Sequence, residues 1–100
     1  PLSGVFAVAL HGVAAEPLPG VANVGRRPTV NGTRDQLEVH VFDFDQDIYG
    51  RHVKVDFLHY LRPERRFDSL AVLKEQIVRD EDEARAFFAE TPQAGALEHD

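Results

Sequence analysis

Glu38 is the residue in this chain that is best placed to do chemistry. It lies in an alternating segment, Gln36–Gly50, in which Leu37, Val39 and Val41 share one side. This two-residue period predicts a β-strand with one face in a core. A carboxylate in mid-strand among apolar neighbours is costly unless it has a partner or a task. Two interpretations stay open: a structural carboxylate paired with an arginine, or a catalytic carboxylate.

A basic cluster offers a second possible site. Arg62, Arg65 and Arg66 come just before a predicted helix start, for which Asp68 or Ser69 is a suitable N-cap. Arginines beside the free N–H groups of a helix start can bind an anion. A solvated basic turn explains the same residues equally well.

The sequence gives little support for a metal site. An EF-hand loop starting at Asp43 needs Gly at its sixth position and Glu at its twelfth, where this chain has Ile48 and Lys54. None of the five histidines is three or four residues from another, and there is no cysteine, so zinc has no ligand pattern. Thr29 and Asn31 could hold a Mg–nucleotide complex or could simply form a turn, and their spacing does not separate the two.

These residues need a β-rich scaffold to position them. Val5–Leu10 and Val21–Val24 are predicted strands, and Gly25–Arg34 is a predicted loop. The segment Gln36–Gly50 is predicted to form a hairpin with His52–Leu58.

After Pro63 the apolar period becomes helical. Leu70, Leu73 and Ile77 predict the buried stripe of a first helix. A capping box at Asp80 and Glu83 predicts that a second helix begins there and carries Ala84, Phe87 and Phe88. Residues 91–100 have no pattern and are expected to form a flexible tail after a domain of residues 1–90.

Composition excludes several classes of protein. One hundred residues with a net charge of −6 fit one small domain and disfavour nucleic-acid binding, which needs a basic face. No apolar run approaches the roughly 20 residues that span a bilayer, so no membrane partner is expected and a cytoplasmic protein is the default.

A set of ordered motifs carries a family resemblance. They are Gly4–Val8, Gly20–Thr29, Leu37–His40, Asp43–Gly50, Leu61–Leu70, Gln76, Ile77 and Asp80. Together they resemble the riboflavin kinase domain, in particular the C-terminal module of bifunctional riboflavin kinase/FMN adenylyltransferases. The match covers about Gly4 to Phe88.

The resemblance implies a fold and a reaction. The fold is mainly β, a six-stranded Greek-key β-barrel with C-terminal α-helices, and the reaction transfers the γ-phosphoryl group of ATP to the 5′-hydroxyl of riboflavin, giving FMN and ADP. The family's general base falls on Glu38. Its flavin-binding segment falls on the run Arg66, Phe67, Asp68 and Ser69. Asn23 and Arg27 are further candidates for substrate binding.

The resemblance also implies parts that this sequence does not contain. The family holds Mg²⁺ and ATP with a Pro-Thr-Ala-Asn motif upstream of the first strand seen here, and Thr29 matches a later Pro-Thr, so no magnesium role is assigned to it. We therefore expect a kinase domain without its first strands, from a parent protein with an N-terminal FMN adenylyltransferase domain. The alternative is a non-catalytic small barrel that binds a flavin or a partner protein.

Overall fold

The computed structural model describes residues 2–46 and 50–90, which form one sheet and one helix. The elements are β1 (Gly4–His11), β2 (Leu18–Thr29), β3 (Gly32–Val41), β4 (Lys54–Arg62) and α1 (Leu70–Glu90). The predicted β-rich class with a C-terminal helix is confirmed, while the predicted tail 91–100 lies outside the described residues. No helix in this part of the chain is long and apolar enough to cross a membrane.

The four strands form one antiparallel sheet in the order β3-β2-β1-β4. Strand β1 is central, and its continuous apolar run is buried from Gly4 to Leu10. Strands β2 and β3 form a hairpin that pairs Thr29 with Gly32 across a two-residue turn. The predicted six-stranded barrel is not seen among the described residues, which supply four strands.

Two sequence predictions about the strands are wrong, one about their pairing and one about their extent. Strands β3 and β4 were expected to form a hairpin, but they lie at opposite edges of the sheet, where β3 pairs with β2 and β4 pairs with β1. The predicted loop Gly25–Arg34 is mostly strand. Alternation identifies a strand but not its partner, and the register of β2 with β3 runs unbroken from Gly20 opposite Val41 to the turn.

The sheet has two different faces. On one face, which we call the inner face, Phe6, Val8 and Ala22 form a buried cluster, against which Val39 packs as the alternation of β3 predicts. On the other, the helix face, Ala84 of α1 packs in a second cluster. Its members are Ala7, Val21, Phe42, Leu61, Ala84, Phe87 and Phe88.

One continuous helix replaces the two that were predicted. Ser69, one of the two predicted candidates, is its N-cap, because the Val72 N–H donates to Ser69 Oγ at 3.2 Å. Asp80 does not begin a new helix. Its side chain turns into the protein and is 6 % exposed, so it does not cap a neighbouring turn.

The predicted buried stripe on the first half of α1 is also wrong. Leu70 is 64 % exposed and Ile77 is 49 % exposed. The buried residues of α1 are Asp80 and Ala84, which lie farther along the helix. The helix packs on the sheet through its second half, so the apolar stripe of its first half borders open space instead of a core.

A salt bridge joins the last residue of β4 to the middle of α1. Arg62 donates from Nε to Asp80 Oδ1 at 2.8 Å and from Nη2 to Asp80 Oδ2 at 2.7 Å. The hydrogen bond to Asp80 raises the pKa of Arg62, and this effect outweighs the opposing effect of partial burial. This bidentate pair fixes where the helix crosses the sheet.

Removing one partner of this pair should destabilise the fold. Asp80→Asn leaves Arg62 without its counter-charge, and we expect the free energy of unfolding to fall by about 3 kcal/mol, the lower end of the range for a broken buried pair. Urea denaturation followed by circular dichroism measures this change. Asp82→Asn removes the same charge from an exposed position of α1 and should change stability by less than about 0.5 kcal/mol. Equal effects of the two variants would contradict the structural role of the pair.

Candidate active site

A cavity of about 570 Å³ lies between the helix face of the sheet and the first half of α1. The third side is formed by residues 63–69, which link β4 to α1 and which we call the connecting segment. Cavities of this size accommodate small organic molecules or cofactors. The lining residues are Val5, Val21, Asn23, Arg27, Glu38, Val39, His40, Arg62, Glu64, Arg65, Phe67, Leu73, Ile77, Asp80 and Glu81.

The sheet wall carries the candidate base. Glu38 of β3 lies directly opposite Asn23 of β2 in the register, so both side chains project from the same face into the cavity. Glu38 is exposed, and one of its oxygens, Oε2, accepts a hydrogen bond from Gln36 Nε2 at 3.1 Å. Among the described residues, 2–46 and 50–90, no arginine forms a salt bridge with Glu38. The alternative of a strand carboxylate paired with an arginine is therefore not observed there.

Asn23 contributes an unusual polar atom to this wall. Its Oδ1 is buried and has no hydrogen-bond partner among residues 2–46 and 50–90. A buried acceptor without a donor costs about 1–3 kcal/mol. Unpaired groups of this kind are rare in folded proteins and call for a functional explanation, such as a donor supplied by a ligand.

The opposite wall carries an aromatic ring that lies close to two cations. The Arg65 guanidinium lies 4.6 Å from the centroid of the Phe67 ring, and that of Arg62 lies 5.8 Å from it. Phe67 is half-buried, and Leu73 and Ile77 of α1 extend the apolar surface beside it. This wall can therefore accept a flat, largely apolar ring system.

The connecting segment is also tied to the sheet. Arg27 Nη1 donates to Glu64 Oε2 at 2.9 Å, so this predicted substrate-binding residue is paired within the protein. The Glu64 carboxylate lies over Gly25, where a Cβ would overlap it. Glycine at position 25 therefore allows the segment to approach the strand closely.

The structure brings four of the predicted site residues together. Glu38, Asn23, Arg27 and Phe67 all line the cavity. The other three, Arg66, Asp68 and Ser69, are exposed, do not line the cavity, and lie where the connecting segment meets the helix. The hydroxyl oxygen of Ser69 is already used in capping α1.

Sequence reasoning missed the polar residues on the helix side. Gln76 Nε2 donates to Asp80 Oδ1 at 3.0 Å, and Gln76 Oε1 accepts from Arg65 Nη1 at 3.1 Å. The spacing of four residues between Gln76 and Asp80 places them on one helix face and was a usable signal. No local signal marked Arg62 as the partner of Asp80, because Arg62 lies in another element.

The described residues offer no metal centre. Among residues 2–46 and 50–90, no three His, Asp or Glu side chains meet in a group that could hold a metal ion. Asp43 instead accepts a hydrogen bond from Arg85 Nη1 at 3.3 Å, while Asp47 lies outside the described residues.

Comparisons with known proteins agree with these motifs. The family model for riboflavin kinase matches residues 1–88. The chain is 54 % identical over 94 residues to a bifunctional riboflavin kinase/FMN adenylyltransferase of Escherichia coli K12, covering 94 % of this chain and 30 % of that protein. It is 38 % identical over 92 residues to the protein of the same name from Bacillus subtilis, covering 89 % of this chain and 29 % of that protein.

A solved structure shares the fold. The crystal structure of a macrolide-efflux protein from Streptococcus pneumoniae superimposes with a TM-score of 0.77 at 36 % identity, covering 85 % of this chain and 28 % of that one. The chain spans about 30 % of the length of the curated relatives it matches. With the family model covering nearly all of its length, the chain belongs to the riboflavin kinase family.

Proposed function

We propose that the full-length protein phosphorylates riboflavin, transferring the γ-phosphoryl group of ATP to the 5′-hydroxyl to give FMN and ADP. Family membership and the names of the relatives support this reaction. The observation that carries it is that Glu38 and Phe67 line one cavity from different walls. A carboxylate and an aromatic surface are what a sugar-alcohol chain attached to a flat heterocycle requires.

Glu38 acts as the general base in this proposal. The riboflavin 5′-oxygen attacks the γ-phosphorus as the bond from that phosphorus to the β,γ-bridging oxygen breaks, and the hydroxyl proton passes to the Glu38 carboxylate. The exposed position of Glu38 on the cavity wall supports this role, because the carboxylate is accessible to a bound hydroxyl.

The flavin ring lies against Phe67 in this proposal. The ring of Phe67 and the side chains of Leu73 and Ile77 provide the apolar contact. Asn23 and Arg27 on the sheet wall are proposed to contact the substrate as well. The exposed run Arg66, Asp68 and Ser69 is proposed to contact the flavin edge or the product phosphate, which places the substrate at the mouth of the cavity near the helix start.

Several features belong to the full-length protein. We propose that Mg²⁺ and ATP are its co-substrates, with the metal ligands supplied by residues other than those described. We also propose that the four strands form part of a six-stranded Greek-key barrel, that an FMN adenylyltransferase domain is joined to the kinase domain, and that the protein works in the cytoplasm. The names of the relatives support the second domain.

Replacing the base should slow the chemical step. Glu38→Gln in the full-length protein should lower kcat for FMN formation by roughly 10²–10⁴-fold, because the amide cannot accept the proton. Riboflavin affinity should change little, since the amide keeps the shape of the side chain. Asp35→Asn removes a carboxylate from an exposed position of the same strand and should leave kcat unchanged. Near-normal turnover of Glu38→Gln would exclude Glu38 as the base.

Reducing the aromatic wall should weaken flavin binding. Phe67→Leu should raise the Kd for riboflavin, measured by quenching of flavin fluorescence, by roughly two- to tenfold, because an aromatic contact is worth roughly 0.5–1.5 kcal/mol beyond its buried area. Phe57→Leu is the matched control, since Phe57 packs against Phe6 on the inner face, away from the cavity. Equal Kd values for Phe67→Leu and the unmodified protein would move the flavin site elsewhere.

A further inference from the structure

We propose that Gln76 is a positioning residue for the aromatic wall of the cavity and that it acts through Arg65. This inference rests on the proposed riboflavin kinase function and deepens it, since it identifies what holds the flavin-binding wall in place. Gln76 itself does not line the cavity, so it acts on the substrate only through other residues.

The hydrogen bonds of Gln76 define its orientation. Its Nε2 donates to Asp80 Oδ1 at 3.0 Å, and its Oε1 accepts from Arg65 Nη1 at 3.1 Å. An ionised carboxylate can only accept and a guanidinium can only donate, so both contacts are satisfied by one orientation of the amide. A side chain that is fixed at both ends is a rigid link between the interior of α1 and the connecting segment.

Arg65 transmits this link to the ring. Its guanidinium lies over Phe67 at 4.6 Å, and Arg65 is otherwise an exposed side chain with many rotamers. Without Gln76, ordering Arg65 over the ring would cost conformational entropy when the ligand binds. The bond to Gln76 places the cation before the substrate arrives.

The sheet side of the connecting segment is anchored separately. Glu64 accepts a hydrogen bond from Arg27 at 2.9 Å and lies over Gly25. These contacts do not involve Gln76 or the residues to which it is hydrogen-bonded. Loss of Gln76 should therefore loosen one side of the segment and leave it attached to the sheet. A change in ligand affinity is expected from this loosening, with the fold retained.

The position of Gln76 also predicts which kinetic constant changes. Glu38 projects from β3, and none of the hydrogen bonds of Gln76 reaches it. Proton removal should therefore proceed normally once riboflavin is bound. Loss of a residue that contributes equally to binding of the ground state and of the transition state raises KM and leaves kcat unchanged.

The test compares Gln76→Met with the unmodified full-length protein by steady-state kinetics, with riboflavin varied at saturating ATP. We expect the KM for riboflavin to rise by about tenfold, the size of one partly desolvated cation–π contact, with kcat within about twofold of the unmodified value. Lys74→Met introduces the same residue at an exposed site two residues earlier in α1 and should change neither constant. An unchanged KM, or a fall in kcat at unchanged KM, would overturn the proposal.

Two further variants establish that Gln76 acts through Arg65. Arg65→Met should raise KM at least as much as Gln76→Met, and the double variant should match Arg65→Met alone. Additive effects would show that Gln76 works by another route and would overturn the proposal. Circular dichroism confirms that each variant is folded, and riboflavin Kd values from fluorescence quenching must follow the same pattern. If the unmodified protein does not form FMN, the proposed function itself fails, which is a different result from an active protein insensitive to Gln76.

Discussion

The bidentate pair between Arg62 and Asp80 is the interaction on which the rest of the site depends. It ties the end of β4 to the middle of α1, at the point where the helix stops packing on the sheet and begins to border the cavity. Asp80 is the one buried charged or polar residue in the described part of the chain. Such a carboxylate is tolerated because the Arg62 guanidinium donates to both of its oxygens, and the Gln76 amide adds a third hydrogen bond. An intact pair of this kind adds little net stability compared with an apolar core, so its main contribution is the placement of the helix, although loss of one partner alone leaves an uncompensated charge.

From this pair the two walls of the cavity take their positions. The second half of α1 covers the helix face of the sheet with Ala84, whereas the first half stands apart from it and leaves room for a ligand. The connecting segment closes the third side and places the Phe67 ring next to Arg65. Of the apolar α1 residues that border this space, Ile77 is exposed and Leu73 is half-buried, an arrangement that a ligand-binding helix can use.

Local patterns in the sequence predicted the elements better than their pairing. The alternation around Glu38 predicted β3, and the N-cap was correctly narrowed to Asp68 or Ser69, because both signals act over a few residues. The hairpin between β3 and β4 was wrong, because strand partners are chosen by contacts distant in sequence. Asp80 was mistaken for a helix start for the same reason, since its partner Arg62 is 18 positions away and belongs to another element. At the site, ordered motifs pointed to Glu38 and Phe67, but nothing local showed that Arg27 is paired with Glu64.

The central claim is that one cavity holds both ends of the substrate, with the flavin ring at Phe67 and the reacting hydroxyl at Glu38. A crystal structure of the full-length protein with bound riboflavin tests it most directly. We expect the isoalloxazine ring to lie against the side chain of Phe67. The 5′-oxygen should lie within about 3.2 Å of a Glu38 carboxylate oxygen, which is the reach of a hydrogen bond. Riboflavin bound on the inner face of the sheet, or bound in the cavity with its 5′-oxygen directed away from Glu38, would contradict it.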